Sequence, residues 1–523
     1  MLVAVLVVLS LQLGSRVASA SSSPNIPNYQ WKFLSPSEKA AVNASVRTIM
    51  SQRIKNITLS IVDASGVPYT GKLQVTQTST EFINTAGWPA GDWNDYLAMT
   101  PSHSFALYAP WSVLEAVRGT WDFSTPDWQF TQATGHGMTD FHMFLGPYYG
   151  QGNPDYFVPD WEKALEKSAR SNASDYEALK NAMRGYVETT VSHFKGRVQL
   201  YELWWEANAY YGNGNWPLDR IIDIIKTEAL TIRATDPAAK ISVDLVYETP
   251  DTLQYLSGSS NWTTEHFTQQ LLAAGVPFDV VGLETHIGTG SADAAGDVDT
   301  LYHWLIDMAE FGKPLYIWED GLESYLPPDW VANQGPPGWV GPLHGTPSEA
   351  KQAEFMVAET LVYFGNPSVI GLHWVRLNDN PTWNGSSNAN DYDGVLYANG
   401  TRKMSYYALE RLWNSLMVNE NIQSVNGVAT FRGLAGNYSI WVGYQAGPSV
   451  IHVSEGKQNT FSLVMKPTTG IASTMNGSVT ANETVPASAP QVVENPVLIL
   501  AGALGIVIVL VAAIILRRRR PSG

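Results

Sequence analysis

Two glutamates follow short apolar, aromatic runs: Glu206 follows Tyr201–Trp205, and Glu319 follows Leu315–Trp318. Both runs are typical of buried strands. About three βα units of roughly 30–35 residues fit between the two glutamates, which is the spacing of strands 4 and 7 in a (β/α)8 barrel. Two facing carboxylates are the minimum that glycoside hydrolysis needs. Two ordinary acidic residues at strand-to-loop transitions would show the same spacing, so both interpretations stay open at this point.

The rest of the chain favours the barrel. From about residue 73 to 417, strand-like runs alternate with helix-like runs, of which Asp175–Phe194, Pro217–Ala234 and Ser348–Phe364 are the clearest helices. The predicted strands are Leu73–Gln77, Ser104–Ala109, Asp140–Leu145, Val198–Trp205, Ile241–Tyr247, Val280–Leu283, Leu315–Trp318 and Val369–Trp374. Eight strands alternating with helices predict an α/β fold, a (β/α)8 TIM barrel with long loops.

Both ends of the chain carry membrane-targeting signals. The apolar run Leu2–Leu9, followed by Ala18-Ser19-Ala20, is typical of a cleaved secretory signal, with an uncleaved N-terminal anchor as the alternative. Pro496–Leu516 is apolar, uncharged and long enough to cross a bilayer, whereas a buried core helix is the alternative. Arg517–Arg520 follow at once and mark the cytoplasmic side. We therefore expect a single-pass protein of the cell membrane whose folded part is extracellular.

These features predict the following organisation: a signal peptide (1–20), a lead-in helix and β strands (21–72), the barrel (73–417), a small antiparallel β module (418–467), a Ser/Thr/Asn/Pro-rich stalk (468–494), a transmembrane helix (495–516) and a basic tail (517–523).

Composition excludes several classes of function. The formal net charge is −16, which argues against nucleic acid as a partner because nucleic-acid binding needs a basic face. The chain has no cysteine, and it contains Asn-X-Ser/Thr sequons that suit an exported protein, such as Asn172, Asn261 and Asn399. No metal-ligand set and no glycine-rich phosphate loop stands out, so no metal and no cofactor is expected.

Several motifs fall in order along the predicted strands. Tyr201–Ala207 is similar to W-D-V-V-N-E-A, Tyr316–Asp320 to I-T-E-L-D, and Gly282–His286 to G-L-Q-S-H. Trp111–Phe123, His142, Trp374 and Asn399–Leu409 match further motifs of the same set. Together, over about residues 54–415, they resemble glycoside hydrolase family 10, the xylanase type.

The resemblance implies roles for individual residues. Glu206 would be the acid/base, Glu319 the nucleophile, and His286 a support for the nucleophile. His142, Trp205, Glu284, Trp374 and Trp111 would contact the substrate. It also implies a retaining endo-β-1,4-glycanase that binds a polysaccharide, either xylan or a β-glucan.

The match departs from the family at sugar-binding positions. Trp205 replaces an asparagine that bonds the sugar 2-OH, and Glu284 replaces a glutamine and adds a third carboxylate. Other sugar-site positions hold Leu107, Pro110, Gly146 and Pro147. An exo-acting or arabinose-releasing glycosidase of the same clan remains an alternative, as does a non-catalytic cell-surface carbohydrate-binding protein.

Aromatic residues are frequent in the predicted loops after strands 4, 7 and 8: Tyr210, Tyr211, Trp216, Trp330, Trp339 and Trp383. Their rings suit stacking against the apolar faces of sugars. Packing of long loops over the barrel would explain them equally well.

Truncating the chain near residue 490 should release a soluble, folded protein, because it removes Pro496–Leu516 and the arginines that follow. Fractionation of expressing cells into membrane and soluble protein measures this. A truncated protein that still partitions wholly with membranes would show that the expected topology is wrong.

Overall fold

A computed structural model describes residues 24–146, 157–208, 216–247, 262–285, 297–325, 346–380, 392–443, 447–457 and 459–465. Helix α1 (Pro36–Thr48) comes first and continues into a π-helical turn (Ile49–Arg53). Ser35 and Glu38 form a capping box, in which each side chain accepts the backbone N–H of the other residue. This box satisfies two free N–H groups and defines where α1 begins.

Strands β1 (Lys55–Val62) and β2 (Gly71–Gln77) follow, and then a sheet of eight parallel strands. Its strands are β3 (Ile83–Ala86), β4 (Ser104–Tyr108), β5 (Asp140–Phe144), β6 (Leu200–Leu203), β7 (Lys240–Val246), β8 (Val280–Glu284), β9 (Leu315–Asp320) and β10 (Val369–Trp374). They pair in the order β3-β10-β9-β8-β7-β6-β5-β4. All five residues of β8 are buried, as expected where both faces of a parallel strand are covered.

β3 and β4 are the first and last strands of this order, and the side chain of Ser102 joins them by hydrogen bonds. The Ser102 hydroxyl, just before β4, accepts the N–H of Asn84 at 2.8 Å and donates to the carbonyl of Asn84 at 3.0 Å. The backbone N–H of Thr80 also reaches the carbonyl of Pro101 at 3.0 Å. These bonds bring the ends of the sheet together, so the eight strands form a nearly closed barrel of the predicted (β/α)8 type.

Helices surround the strands and cover the outer core. They are α2 (Trp93–Met99), α3 (Trp111–Leu114), α4 (Ser124–Gly135), α5 (Asp160–Ala169), α6 (Ala173–Phe194), α7 (Leu218–Thr235), α8 (Thr264–Ala273), α9 (Val298–Ala309), α10 (Glu349–Gly365) and α11 (Met404–Leu416). Four of them begin at side-chain caps, from Asn172, Thr263, Asp297 and Ser348. Such caps satisfy N–H groups that have no partner within the helix.

A β module follows the barrel, with strands β11 (Asn419–Ser424), β12 (Val428–Gly433), β13 (Gly436–Val442), β14 (Ser449–Val453) and β15 (Thr460–Val464). Its two sheets, β12-β1-β15 and β11-β2-β13-β14, each include one strand from before the barrel. Most pairs are antiparallel, but β1 and β15 run parallel. A separate hydrophobic core joins the two sheets and includes Ile57, Leu59 and Val75 from β1 and β2.

This topology corrects one expectation. Leu73–Gln77, predicted as the first barrel strand, lies within β2 and pairs with β11 and β13 instead. The first barrel strand is β3, which is four residues long and contains the polar pair Asn84-Thr85. The alternation in β2 fits a sheet with one solvated face, which is the face it presents in the module.

The predicted signal peptide, stalk, transmembrane helix and basic tail lie outside the described residues. Among those that are described, no helix combines the length and the apolar character needed to span a membrane.

The module is expected to be part of the folding unit, because the strands that pair with β1 and β2 in the described chain all come after residue 417. A chain that ends at residue 417 should expose the apolar faces of β1 and β2 and lose cooperative unfolding. A chain that ends at residue 467 is the matched control and should keep it. Circular dichroism during thermal unfolding measures both, and equal cooperativity in the two would contradict the pairing.

Candidate active site

Glu206 lies just beyond β6, where the backbone turns sharply. Trp204 and Glu206 both have left-handed backbone angles, with φ of 52° and 50°. Such values cost a residue with a side chain about 1–3 kcal/mol. Asp244 of β7 stabilises the turn twice: its Oδ2 accepts the N–H of Glu206 at 3.3 Å, and its carbonyl accepts the N–H of Ala207 at 3.0 Å. The backbone under Glu206 is therefore strained and held from the neighbouring strand.

The end of β5 leaves room for this turn. A Cβ atom on Gly146 would lie 2.4 Å from the backbone nitrogen of Trp204, which is closer than real contacts allow. The indole of Trp204 is fully buried beside it. Glycine at position 146, one of the departures from the family pattern, thus has a steric cause in the turn before Glu206.

Glu319 reaches the same end of the barrel through an irregularity in β9. The pairing of β8 with β9 shifts register between Leu283 and Glu284, so that Glu284 lies opposite Glu319. Bulges of this kind change the direction in which side chains point, and they are frequent next to active sites.

The residues on either side of Glu319 point in different directions. Trp318 packs in the interior cluster of the barrel, and its indole N–H donates to Ser242 Oγ at 2.9 Å. Gly282 makes space for that ring, because a Cβ there would lie 2.3 Å from Trp318 Cδ1. Asp320 instead accepts a hydrogen bond from the hydroxyl of Tyr363 on α10 at 2.7 Å. Glu319 is thereby held between a packed indole and a bonded carboxylate.

Five carboxylates influence one another at this end of the barrel: Glu202, Glu206, Asp244, Glu284 and Glu319. Glu202, Asp244 and Glu284 are 2%, 0% and 1% exposed, respectively. Glu206 and Glu319 are only half-buried. The two glutamates predicted to be catalytic are therefore the members of the cluster that stay accessible to a substrate.

The buried members hold protons more strongly than usual. Burial, and then the charges of Asp244 and Glu319, raise the pKa of Glu202 well above its usual range. Burial raises the pKa of Asp244 to about 7. Burial, followed by the charges of Glu319, Asp244 and Glu206, raises the pKa of Glu284 strongly. Like charges in a buried volume oppose one another, so protonation relieves the cluster.

Trp205 joins this cluster to an aromatic wall. Its indole N–H donates to Glu284 Oε1 at 2.7 Å, while the rings of Phe144 and Phe157 lie edge-on to it at 4.9 and 4.6 Å. Tyr108 stacks on Phe144 at 6.4 Å and is 40% exposed. Because Tyr108 and Phe144 end β4 and β5, the wall runs along the rim formed by the carboxyl ends of the strands, and its faces suit stacking against sugar rings.

His142 lies deeper than expected for a residue that contacts the substrate. It is 1% exposed, and its Nε2 lies 2.9 Å from Asp140 Oδ2. Its ring is edge-on to Tyr316 at 5.5 Å in the barrel interior. Nearby His373 is neutral, because burial, and then the charge of His142, lower the pKa of His373 to about 3.

Two residues that were predicted to contact the substrate, Trp111 and Trp374, are buried. Trp111 is 0% exposed, donates its indole N–H to Glu115 at 2.8 Å and stacks on Tyr186 at 5.0 Å. Trp374 is 4% exposed and belongs to the main hydrophobic core. Trp111 therefore packs against α6 and presents no face to a sugar, whereas the substrate contact of Trp374 stays a prediction.

Among the aromatic loop residues, Trp216 is also buried, and its indole N–H donates to Glu166 Oε1 at 2.9 Å. His286 and the aromatic loop residues Tyr210, Tyr211, Trp330, Trp339 and Trp383 lie outside the described residues. The described part of the chain contains no group of three or more acidic or histidine side chains placed to hold a metal ion.

Sequence reasoning missed Glu202 and Asp244. A signal was present in the sequence. Glu202 is the single acid in the apolar run of β6, and Asp244 is the single acid in the apolar run of β7, the strand that pairs with β6. An acid buried in such a strand needs a partner or a proton, which marks it as part of a site.

Tyr363→Phe should destabilise the protein by about 1–3 kcal/mol, because it removes the hydroxyl that bonds both Asp320 and Thr285 in a buried setting. Tyr407→Phe, at a 54% exposed position, is the control and should change stability by less than about 0.5 kcal/mol. Denaturant unfolding of both variants measures this. Equal stability of the two variants would contradict a structural role for the hydroxyl beside Glu319.

Comparison with known proteins bears on the predicted resemblance. No family model matches the chain. In sequence the chain is similar to endo-1,4-beta-xylanase C of Phanerodontia chrysosporium, at 24% identity over 237 residues, which cover 44% of this chain and 51% of the relative. The chain thus spans about half the length of the curated relative it matches.

Solved structures with a likeness to the chain include two bacterial xylanases. Xylanase 10B from Thermotoga petrophila RKU-1, in complex with xylobiose, has 17% identity and a TM-score of 0.45, and the likeness covers 74% of this chain and 99% of that one. The Thermobacillus composti GH10 xylanase has 16% identity and a TM-score of 0.45, with 64% and 97% covered. The similarity to the protein named endo-1,4-beta-xylanase C confirms the predicted resemblance of this chain to xylanases.

Proposed function

We propose that the chain is a retaining glycoside hydrolase that cleaves the β-1,4 backbone of xylan or a related β-glucan, with Glu206 as acid/base and Glu319 as nucleophile. One observation carries the proposal most directly. In a cluster of otherwise buried carboxylates, Glu206 and Glu319 are the half-buried pair, and both lie at the carboxyl ends of barrel strands. The similarity to a protein named endo-1,4-beta-xylanase C supports xylan as the first substrate to test.

The reaction would proceed in two displacements. In the first, a carboxylate oxygen of Glu319 bonds to the anomeric carbon while the glycosidic C–O bond breaks, and Glu206 gives its proton to the leaving oxygen. In the second, Glu206 takes a proton from water, the water oxygen bonds to the anomeric carbon, and the ester bond to Glu319 breaks. Configuration at the anomeric carbon is retained after two inversions.

The surroundings suit these two roles. The nucleophile must be ionised, and protonated Glu202 and Glu284 reduce the negative charge around it. The acid/base must start protonated, and Glu206 lies close enough to the buried acids to influence the pKa of Glu284. The wall of Tyr108, Phe144 and Trp205 offers stacking where the family has an asparagine, so we expect the sugar grip to be apolar rather than hydrogen-bonded.

We also propose that the barrel works outside the cell, tethered to the membrane by residues 495–516. The support is in the sequence: an uncharged apolar segment followed by four arginines, and sequons along the preceding chain. A tethered hydrolase would act on polysaccharide at the cell surface.

Glu319→Gln should abolish turnover of an activated aryl β-xyloside, because no ester can form. Glu206→Ala should keep the first step, since the activated leaving group needs no proton, and should slow the second. Added azide should then give a glycosyl azide of retained configuration. Release of the aryl group and NMR of the azide product measure these outcomes.

The matched control is Glu310→Gln, an exposed glutamate just after α9 that should leave turnover unchanged. Full activity of Glu319→Gln, or an azide of inverted configuration from Glu206→Ala, would overturn the assigned roles. A wild-type ectodomain that binds xylan without cleaving it would favour the non-catalytic alternative.

A further inference from the structure

Trp205, Glu284, Asp244 and Glu206 form a continuous series of contacts across β6, β7 and β8. The Trp205 indole N–H donates to Glu284 Oε1 at 2.7 Å. Glu284 and Asp244 are hydrogen-bonded to each other through their carboxyl groups. Asp244 Oδ2 then accepts the backbone N–H of Glu206 at 3.3 Å. The series begins and ends on consecutive residues of the strained turn after β6.

A hydrogen bond between two carboxyl groups needs a proton on one of them. The surroundings of Asp244 Oδ1 indicate where that proton lies. Asp244 Oδ1 is fully buried and receives no N–H or alcohol donor from a described residue. Among the described side chains, Glu284 and Glu202 form hydrogen bonds with the Asp244 carboxyl group. A buried carboxylate oxygen without a donor is costly, so a proton carried by a neighbouring acid is the partner that satisfies it.

We propose that Glu284 and Asp244 share a proton and act as positioning residues, Glu284 by fixing the indole of Trp205 and Asp244 by fixing the backbone of Glu206. The inference rests on the proposed function for what is being positioned, namely the acid/base. The shared proton itself is a property of the fold. Both Trp205 and Glu284 occupy positions where the chain departs from the family it resembles, so the device is one of this chain.

The acid pair would serve the nucleophile as well. If Glu202, Asp244 and Glu284 were all ionised, three negative charges would surround Glu319 and oppose its ionised form. When Glu202 and Glu284 carry protons, Asp244 is the one carboxylate that remains between them, and it accepts the N–H of Glu206. On β5, the titratable side chain that points into the barrel is His142, two residues before Phe144. His286, two residues after Glu284, lies outside the described residues.

The proton can be tested without activity. A buried acid that stays protonated when folded binds more protons than the unfolded chain, so it makes stability fall as the pH rises above the unfolded pKa of about 4. For Glu284 this fall extends well above pH 4, because the pKa of Glu284 is raised strongly. Glu284→Gln keeps an acceptor for Trp205 and a donor for Asp244 but cannot ionise.

The first measurement is Tm from pH 5 to pH 8. The Tm of Glu284→Gln minus that of wild type should rise by roughly 3–6 °C over this range. Glu310→Gln, at an exposed position, is the control and should follow wild type at every pH. Parallel curves for Glu284→Gln and wild type would overturn the shared proton, whether or not the protein is an enzyme.

The second measurement is turnover of an aryl β-xyloside. Glu284→Gln should keep kcat within about threefold, whereas Glu284→Leu, which cannot hold Trp205, should lower kcat at least tenfold with little change in KM. Adding Trp205→Phe to Glu284→Leu should lower kcat by less than a further threefold, since the contact is already lost. Equal kcat for Gln and Leu variants, or full additivity of the two changes, would overturn the positioning role. An inactive wild type would instead refute the proposed function and leave the Tm result standing.

Discussion

Several acids lie close together at the mouth of the barrel, where water barely reaches them. Repulsion between their like charges constrains the structure of the strands and side chains around them. Three of these acids are almost fully buried, and the pKa of each is raised. Ionised together they would oppose folding; partly protonated, they bond one another and the backbone. The two glutamates that remain accessible gain their chemical character from the buried acids beneath them.

The backbone adapts to this arrangement at three points. The backbone turns through left-handed angles at Trp204 and Glu206, and β9 has a bulge beside Glu319. Gly146 leaves room for the backbone of Trp204, and Gly282 leaves room for the ring of Trp318. Each irregularity is unfavourable or weakly specified in isolation. Each is held by contacts from a neighbouring strand or helix, chiefly Asp244, Ser242 and Tyr363. Such local strain, compensated by its surroundings, is common at functional sites.

Much of the barrel could be predicted because a strand buried on both faces is a short apolar run, and β4 to β10 are of this kind. β3 is too short and too polar at Asn84 and Thr85 to be recognised as a buried strand, whereas the alternation in β2 is regular and predicts a strand in its place. Glu206 and Glu319 were found because each ends a strand. The packing of Trp111 against α6 could not be predicted, because a motif gives the position of a residue along the chain but not the side of the barrel wall on which its ring packs.

The strands on either side of the barrel belong to one pair of sheets: β1 lies between β12 and β15, and β2 lies between β11 and β13. Synthesis delivers β1 and β2 first and their partners only after the whole barrel has been made. At roughly 5–20 residues per second, two unpaired strands wait on the order of tens of seconds. Their apolar faces are exposed to other nascent chains during that time. The order of synthesis therefore exposes β1 and β2 to aggregation. Folding of the protein depends on whatever shields these two strands until their partner strands have been made.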